Sequence, residues 1–207
     1  MVILSSTYFG PVQWYQKLCR HGHVAIERYD HFMKQTYRNR CVIAAANGPQ
    51  ALTVPVEKGE TQPLLMKDVR ISDHGNWRHL HWQALQSAYG ESPFFEFYAD
   101  DLRPFFEKRW TWLFDFNLDI TQKMCELLDI QPTIELTSEF VPAAGNLGQP
   151  SLKDFRDAIH PKHPLPDSEF EPRRYYQVYE SRHGFQPNLS ILDLLFNMGN
   201  ESVLYIQ

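Results

Sequence analysis

Apolar residues follow two spacings along this chain, and the alternation between them marks out strands and helices. Val2 to Phe9 is a short apolar run, β-branched at its start and closed by Gly10-Pro11, which reads as a buried strand feeding a helix. Pro11 suits a first helical position. From Val12 through Tyr15 to Cys19 the spacing is helical with Gly22 as its stop, and His23 to Glu27 reads as a second short strand. A strand, helix, strand opening of this size favours a parallel pair with a right-handed crossover. Cys41 to Ala46 and Ala51 to Val56 flank Asn47-Gly48-Pro49-Gln50, and Asn-Gly tolerates the positive φ of a tight turn, so a hairpin is expected.

Val69 to Ser72 is a candidate edge strand. From Asn76 to Tyr89 the positions Trp77, Leu80/His81, Ala84/Leu85 and Ala88 recur at helical spacing, ending at Gly90. Ser92-Pro93 has the cap and first-turn chemistry of another helix, which Pro104 breaks or restarts. Phe116, Ile120, Met124 and Leu127/Leu128 form a further stripe, and Thr133 to Thr137 reads as a strand after Pro132. Residues 142–187 hold seven of the fourteen prolines without sustained periodicity. They predict an extended arm with a short helix at Ser151 to Ile159, where Ser151 and Asp154 resemble a capping box. Tyr175 to Tyr179 reads as a strand and Ser190 to Met198 as a capped helix stopped by Gly199. The expected architecture is α/β: a partly parallel Rossmann-like sheet with flanking helices, a β-hairpin and a C-terminal extension. Residues 1–140 are expected to form the core, and 141–207 a Pro-rich arm and C-terminal helix packed on it.

Composition narrows the function. With 207 residues, 43% hydrophobic and 14% aromatic, the chain can bury a core of its own. A net charge of −5 argues against general nucleic-acid binding, which needs a basic field. Three cysteines, at 19, 41 and 125, fit neither a disulfide framework nor a CxxC unit, and they fall on apolar faces where a thiol is inert. Together with the absence of a basic leader or of about 18 consecutive apolar residues, this predicts a cytoplasmic location without membrane insertion. GxSxG, HExxH, P-loop and GxGxxG signatures are absent. The residues specify no cofactor.

Two segments carry candidate chemistry. Lys67 to Tyr98 crowds three histidines, two tryptophans and two arginines beside an aromatic run, as expected of a helix with one face in a core and a polar end beside a cleft. His79 and His81 form an HxH pair, but residues two apart diverge on a helix, so no metal site is assigned. Trp77 and His81, four apart, share a face. A histidine held beside an indole can act as general base, or it can be a hydrogen-bonded core residue. In Tyr29 to Arg40, YDHFMKQTYRNR, Asp30, Lys34, Asn39 and Arg40 follow the second strand, where ligands of doubly wound folds collect. An anion site there needs Arg38, Arg40, Lys67, Arg70 and Arg78 to converge; otherwise the segment is a solvated loop. Glu180 to Phe185 either covers a pocket or packs the tail.

The opening STYFGPVQWY, the block YDHFMKQTYRNR, the strand ALTVPV, the run DVRISDHGNWRHLHWQALQSAYGESPFFEFYADDL and CELLDI together resemble the WbqC-like protein family of bacteria, over about residues 3–140. The family pattern falls on Tyr8, Pro11, Asp30, Lys34, Asn39, Arg40, Pro55, Trp77, His81, Tyr89, Pro93 and Tyr98. Where the family opens with Gln-Pro, this chain has Ser6-Thr7. The resemblance implies work on nucleotide-linked or amino sugars of surface polysaccharides such as O-antigen. On that footing His81 is the expected acid or base and Asp30 orients it or the sugar hydroxyls. Lys34, Asn39, Arg40 and Arg78 are expected to bind an anionic small-molecule substrate, and Tyr8 and Trp77 to stack on the sugar ring. The expected assembly includes a homo-oligomer. A competing expectation is a non-catalytic scaffold subunit of a polysaccharide-assembly complex. A third is a nucleotidyltransferase-like enzyme, for which Thr7 to Pro11 offers an opening loop but His-x-Gly-His is missing.

Overall fold

Val2–Ser5 (β1) is buried along its whole length, as a strand covered on both faces requires. The computed structural model describes residues 2–59, 63–143 and 152–207. After β1 the chain forms helix α1 (Val12–His21), with Pro11 at its cap, and then strand β2 (His23–Glu27). Gly22 ends α1 in the left-handed region at φ 63°, donating its N–H to the Leu18 carbonyl at 3.2 Å. The hairpin is β3 (Arg40–Ala45) and β4 (Gly48–Thr53). Next come α2 (Trp77–Tyr89), α3 (Phe95–Leu102), α4 (Pro104–Glu107) and α5 (Leu113–Leu127). Strands β5 (Thr133–Leu136) and β6 (Lys153–Asp154) follow, and then α6 (Glu180–His183), α7 (Ile191–Met198) and α8 (Val203–Ile206).

The four-stranded sheet has the order β5-β2-β1-β6 and every pair in it is parallel. The hairpin stands apart as an antiparallel pair, with α2 and α7 against β3. The fold is therefore α/β, with helices flanking a parallel sheet and a separate hairpin. Aromatic rings fill much of the core: Phe9 stacks on Phe106, Tyr8 on Phe116, and Trp110 lies against Phe105 and Phe116. Among the described residues no helix is long and apolar enough to cross a membrane.

Several boundaries differ from the sequence reading. The first strand stops at Ser5, because Tyr8 donates its N–H to the Tyr37 carbonyl and Phe9 turns at φ 41°, lifting the chain off the sheet. The hairpin turns at Ala46-Asn47, one register earlier, with Gly48 at φ 105° taking the strained position while Pro49 and Gln50 pair in β4. Ser92 does not cap α3; its hydroxyl folds back onto the Tyr89 carbonyl at 2.7 Å. Val69 to Ser72 makes single bridges, Ile71 to Val56 and Arg70 to Trp112, rather than a strand. In the arm, Lys153–Asp154 is a sheet strand beside β1 where a helix was expected, and Ser151 lies outside the described residues. Tyr175 to Tyr179 forms no strand, since Tyr175 and Gln177 turn their side chains to Asp193 of α7. The predicted last helix appears as α7, capped by Ser190 and ended by Gly199.

Candidate functional site

The connection from β1 leads to β2 on one side, while the chain returns from β5 to place β6 on the other. Loops at the carboxyl ends of β1 and β6 therefore diverge, and at such a switch point an open α/β sheet has its natural ligand crevice. A crevice with about 10 Å³ of room lies there, between Ser5, Ser6 and Thr7 after β1, Thr36 to Arg38, and Phe155, Arg156 and Ile159 after β6. It is narrow, with space at its centre for a water-sized group. The loop after β1 is clamped. Ser190 donates its hydroxyl to the Phe9 carbonyl at 2.8 Å, and Ile191 donates its N–H to the Gly10 carbonyl at 2.9 Å. A Cβ on Gly10 would stand 2.4 Å from Thr7 Oγ1, so the absent side chain leaves that hydroxyl its place.

Charge gathers around this crevice. Arg38, only 4% exposed, pairs with Asp30 through Nη2 and Oδ2, and Ser5 Oγ donates to the same carboxylate oxygen at 3.5 Å. Burial pushes the Asp30 carboxyl above its usual range, and the Arg38 guanidinium holds it back. Arg156 forks onto Asp154 at 2.9 and 2.5 Å, donates to the Val141 carbonyl at 2.8 Å and stands 3.5 Å from Glu27 Oε2. Glu27, fully buried at the end of β2, accepts from the Tyr29 and Val141 N–H groups and from Thr137 Oγ1. Its oxygens are satisfied, which makes it a brace for the strand ends. By contrast Thr7 Oγ1, Arg38 Nε and Asp30 Oδ1 are buried without a hydrogen-bond partner among the described residues. Asn117 of α5 links the two walls, donating to Ser6 Oγ at 3.4 Å and to the Arg38 carbonyl at 2.8 Å. His160, beside Ile159, is pushed down by burial first, then by His163 and Arg38.

The residues singled out from the sequence fall into three places. Asp30 belongs to the crevice cluster. Tyr8, Trp77 and His81 meet in the core: Tyr8 Oη and His81 Nδ1 are 2.9 Å apart, and the Trp77 ring meets His81 edge-on at 5.1 Å. Burial drives the His81 imidazole down to about 4, against a weaker lift from the Thr53 backbone, so the ring is neutral at pH 7. Arg78 lies over the Trp77 ring, 4.6 Å from its centre, and pairs with Asp73 at 2.6 Å. The rest belong to the hairpin base or solvent. Asn39 donates to the Val54 carbonyl, Arg40 Nε donates to Thr53 Oγ1, and Lys34 is exposed. The five basic residues do not converge: Lys67 pairs with Asp68, Arg70 with Glu57, Arg78 with Asp73 and Arg38 with Asp30. His79 is exposed and His81 buried, as their spacing on a helix requires. Among the described residues no group of three or more His, Cys, Asp or Glu is arranged to hold a metal ion.

The family model of the WbqC-like protein family matches residues 6–158. The chain belongs to that family. The matched span runs from Ser6 on one wall of the crevice to just past Arg156 on the other. A relative described as the uncharacterized protein Rv1507c, from Mycobacterium tuberculosis, is 29% identical over 195 residues, covering 85% of this chain and 84% of its own. No solved structure matches. In this WbqC-like chain, sequence reasoning gave no crevice role to Ser6, Thr7 or Arg156, Thr7 entering only as the start of the Thr7 to Pro11 loop. A hydroxyl run after an apolar strand was the available signal for the first two. Nothing local marks Arg156, because a two-residue strand has no periodicity.

Proposed function

We propose that this WbqC-like protein is an enzyme that binds a phosphate-bearing activated sugar at the switch-point crevice and modifies it or transfers a group on it, in the cytoplasm. The observation that carries the reading is a pair of polar atoms of crevice-lining residues, Arg38 Nε and Thr7 Oγ1, with Asp30 Oδ1 behind Arg38, all buried and without a hydrogen-bond partner among the described residues. Buried orphans of this kind cost about 1–3 kcal/mol each, a cost that a bound ligand's oxygens and hydroxyls remove. Arg38 supplies an N–H to a phosphate oxygen, Ser6 and Thr7 hold sugar hydroxyls, and Asp30, its carboxyl raised by burial, exchanges a proton with the reacting group. His81 stands behind Tyr8 and orients the loop that carries Thr7. The sugar comes from the family resemblance; position and donor set support an anionic, hydroxylated ligand. Admission of a whole sugar requires the Phe155–Ile159 wall to move.

A thermal-shift and calorimetric screen of nucleotide sugars tests this. A true ligand at about 100 times its Kd stabilises the native state by about 2.7 kcal/mol, roughly 5–10 °C for a chain of this length. Asp30→Asn is expected to retain binding and lose activity about 10²- to 10⁴-fold. Arg38→Lys is expected to weaken binding about tenfold. No stabilisation by any nucleotide sugar, with the protein shown folded by circular dichroism, would favour the scaffold alternative.

A further inference from the structure

A second cavity, of about 340 Å³ and open to solvent, lies at the start of α2, lined by Arg78, Arg103, Arg109, Asp73, Glu107 and Trp82 among others. Three arginines face two carboxylates there, an excess of positive charge in a chain whose net charge is −5. Two of the three guanidinium groups are set on aromatic shelves. Arg78 lies 4.6 Å from the Trp77 ring and Arg103 5.5 Å from the Trp82 ring, positions that fix a planar fork without using up its donors.

The carboxylates leave much of that donor capacity free. Asp73 takes Arg78 Nη1 at 2.6 Å and stands 3.6 Å from Arg109, and it is itself half exposed. Arg78 Nε and Nη2 are enclosed by the protein without a hydrogen-bond partner among the described residues, and its side chain is only 12% exposed, so its charge is fixed in place. The Arg109 side chain is 84% exposed. The same end of α2 adds to the field, since its first turn carries no acidic residue and Asn76 makes no side-chain cap. Planar guanidinium forks, here the exposed ones of Arg103 and Arg109, match the oxygens of phosphate better than any neutral guest.

We propose that this cavity is a second binding site, separate from the switch-point crevice, for a small molecule carrying a phosphate or diphosphate group. Arg78 is the fixed positive charge at the inner end, Arg103 and Arg109 close over the anion from the rim as its donors, and Asp73 yields Arg78 Nη1 and Arg109 to it.

Calorimetric titration of the full chain with sodium pyrophosphate in low-salt buffer tests the site, with UDP as a parallel arm. Arg103 and Arg109 are exposed, so R103Q/R109Q keeps the fold. Pyrophosphate is expected to bind wild type and the crevice variant Arg38→Lys alike, and R103Q/R109Q at least about tenfold more weakly. UDP binding more tightly than pyrophosphate with the same variant dependence identifies a nucleotide as the source of the diphosphate; equal binding identifies the free anion. The proposal is overturned by binding unchanged in R103Q/R109Q, by loss confined to Arg38→Lys, or by no heat at millimolar pyrophosphate. Nucleotide-sugar binding that survives in R103Q/R109Q leaves the crevice reading standing on its own.

Discussion

His81 shows what burial does to one side chain. Its ring, 6% exposed and held between Tyr8 and Trp77, titrates near 4 in the fold against 6.5 when unfolded. The unfolded chain therefore binds the proton first as pH falls, and folding loses stability between about pH 6.5 and 4. That window is worth at most about 3 kcal/mol, taking 1.36 kcal/mol per unit. Urea unfolding at pH 7 and pH 4.5 is expected to show a smaller acid loss for His81→Gln than for wild type. Equal losses in the two proteins would show that the ring is not the group responsible. Asp30 shifts in the opposite sense for a carboxyl, upward, because burial outweighs the help of Arg38.

Elements are held where the chain needs them by a few terminal residues. Ser190 caps α7 by accepting from the Leu192 N–H, and its hydroxyl also reaches the Phe9 carbonyl, so one residue both starts a helix and fixes the loop after β1. Ser190→Ala is expected to cost about 1–2 kcal/mol, read as a lower urea midpoint with an unchanged slope. A shift under about 0.5 kcal/mol would show that the backbone bonds from Val12 and Ile191 carry the junction alone. The hairpin teaches the same lesson at its turn. Gly48 accepts φ 105°, so the strands extend through Pro49 and Gln50, which the pattern of turn-forming residues had placed in the loop.

Across the whole molecule, the Pro-rich arm is tied to the core by charge. Lys17 of α1 is completely buried and pairs with Asp167 at 2.7 Å, with Gln13 donating to the same carboxylate at 2.8 Å. Removing one member of such a pair leaves the other charge buried and uncompensated. Asp167→Asn is expected to lower stability by about 3 kcal/mol, a fall in Tm of roughly 6–12 °C. A fall below about 2 °C would place the arm's anchorage elsewhere. A second tie is Asp193 of α7, which accepts from Tyr89, Tyr175 and Gln177 and so joins the arm to α2 and, through Tyr89, to Ala44 of the hairpin.

The sequence by itself determined the elements with strong local signals: the buried run of β1, the αL stop at Gly22, the stripes of α2 and α5 and the capped α7. It also placed Asp30 after the second strand, where parallel sheets gather ligands. Local signals of this kind come from period and from turn chemistry, which act over a few residues. What only the tertiary structure decided was partnership. Arg38 and Arg156 reach one crevice because β6, two residues long and far along the chain, pairs with β1. Tyr8 and Trp77 became core because neighbouring rings enclose them. Such pairings depend on contacts between distant segments, and no spacing along the chain encodes those contacts.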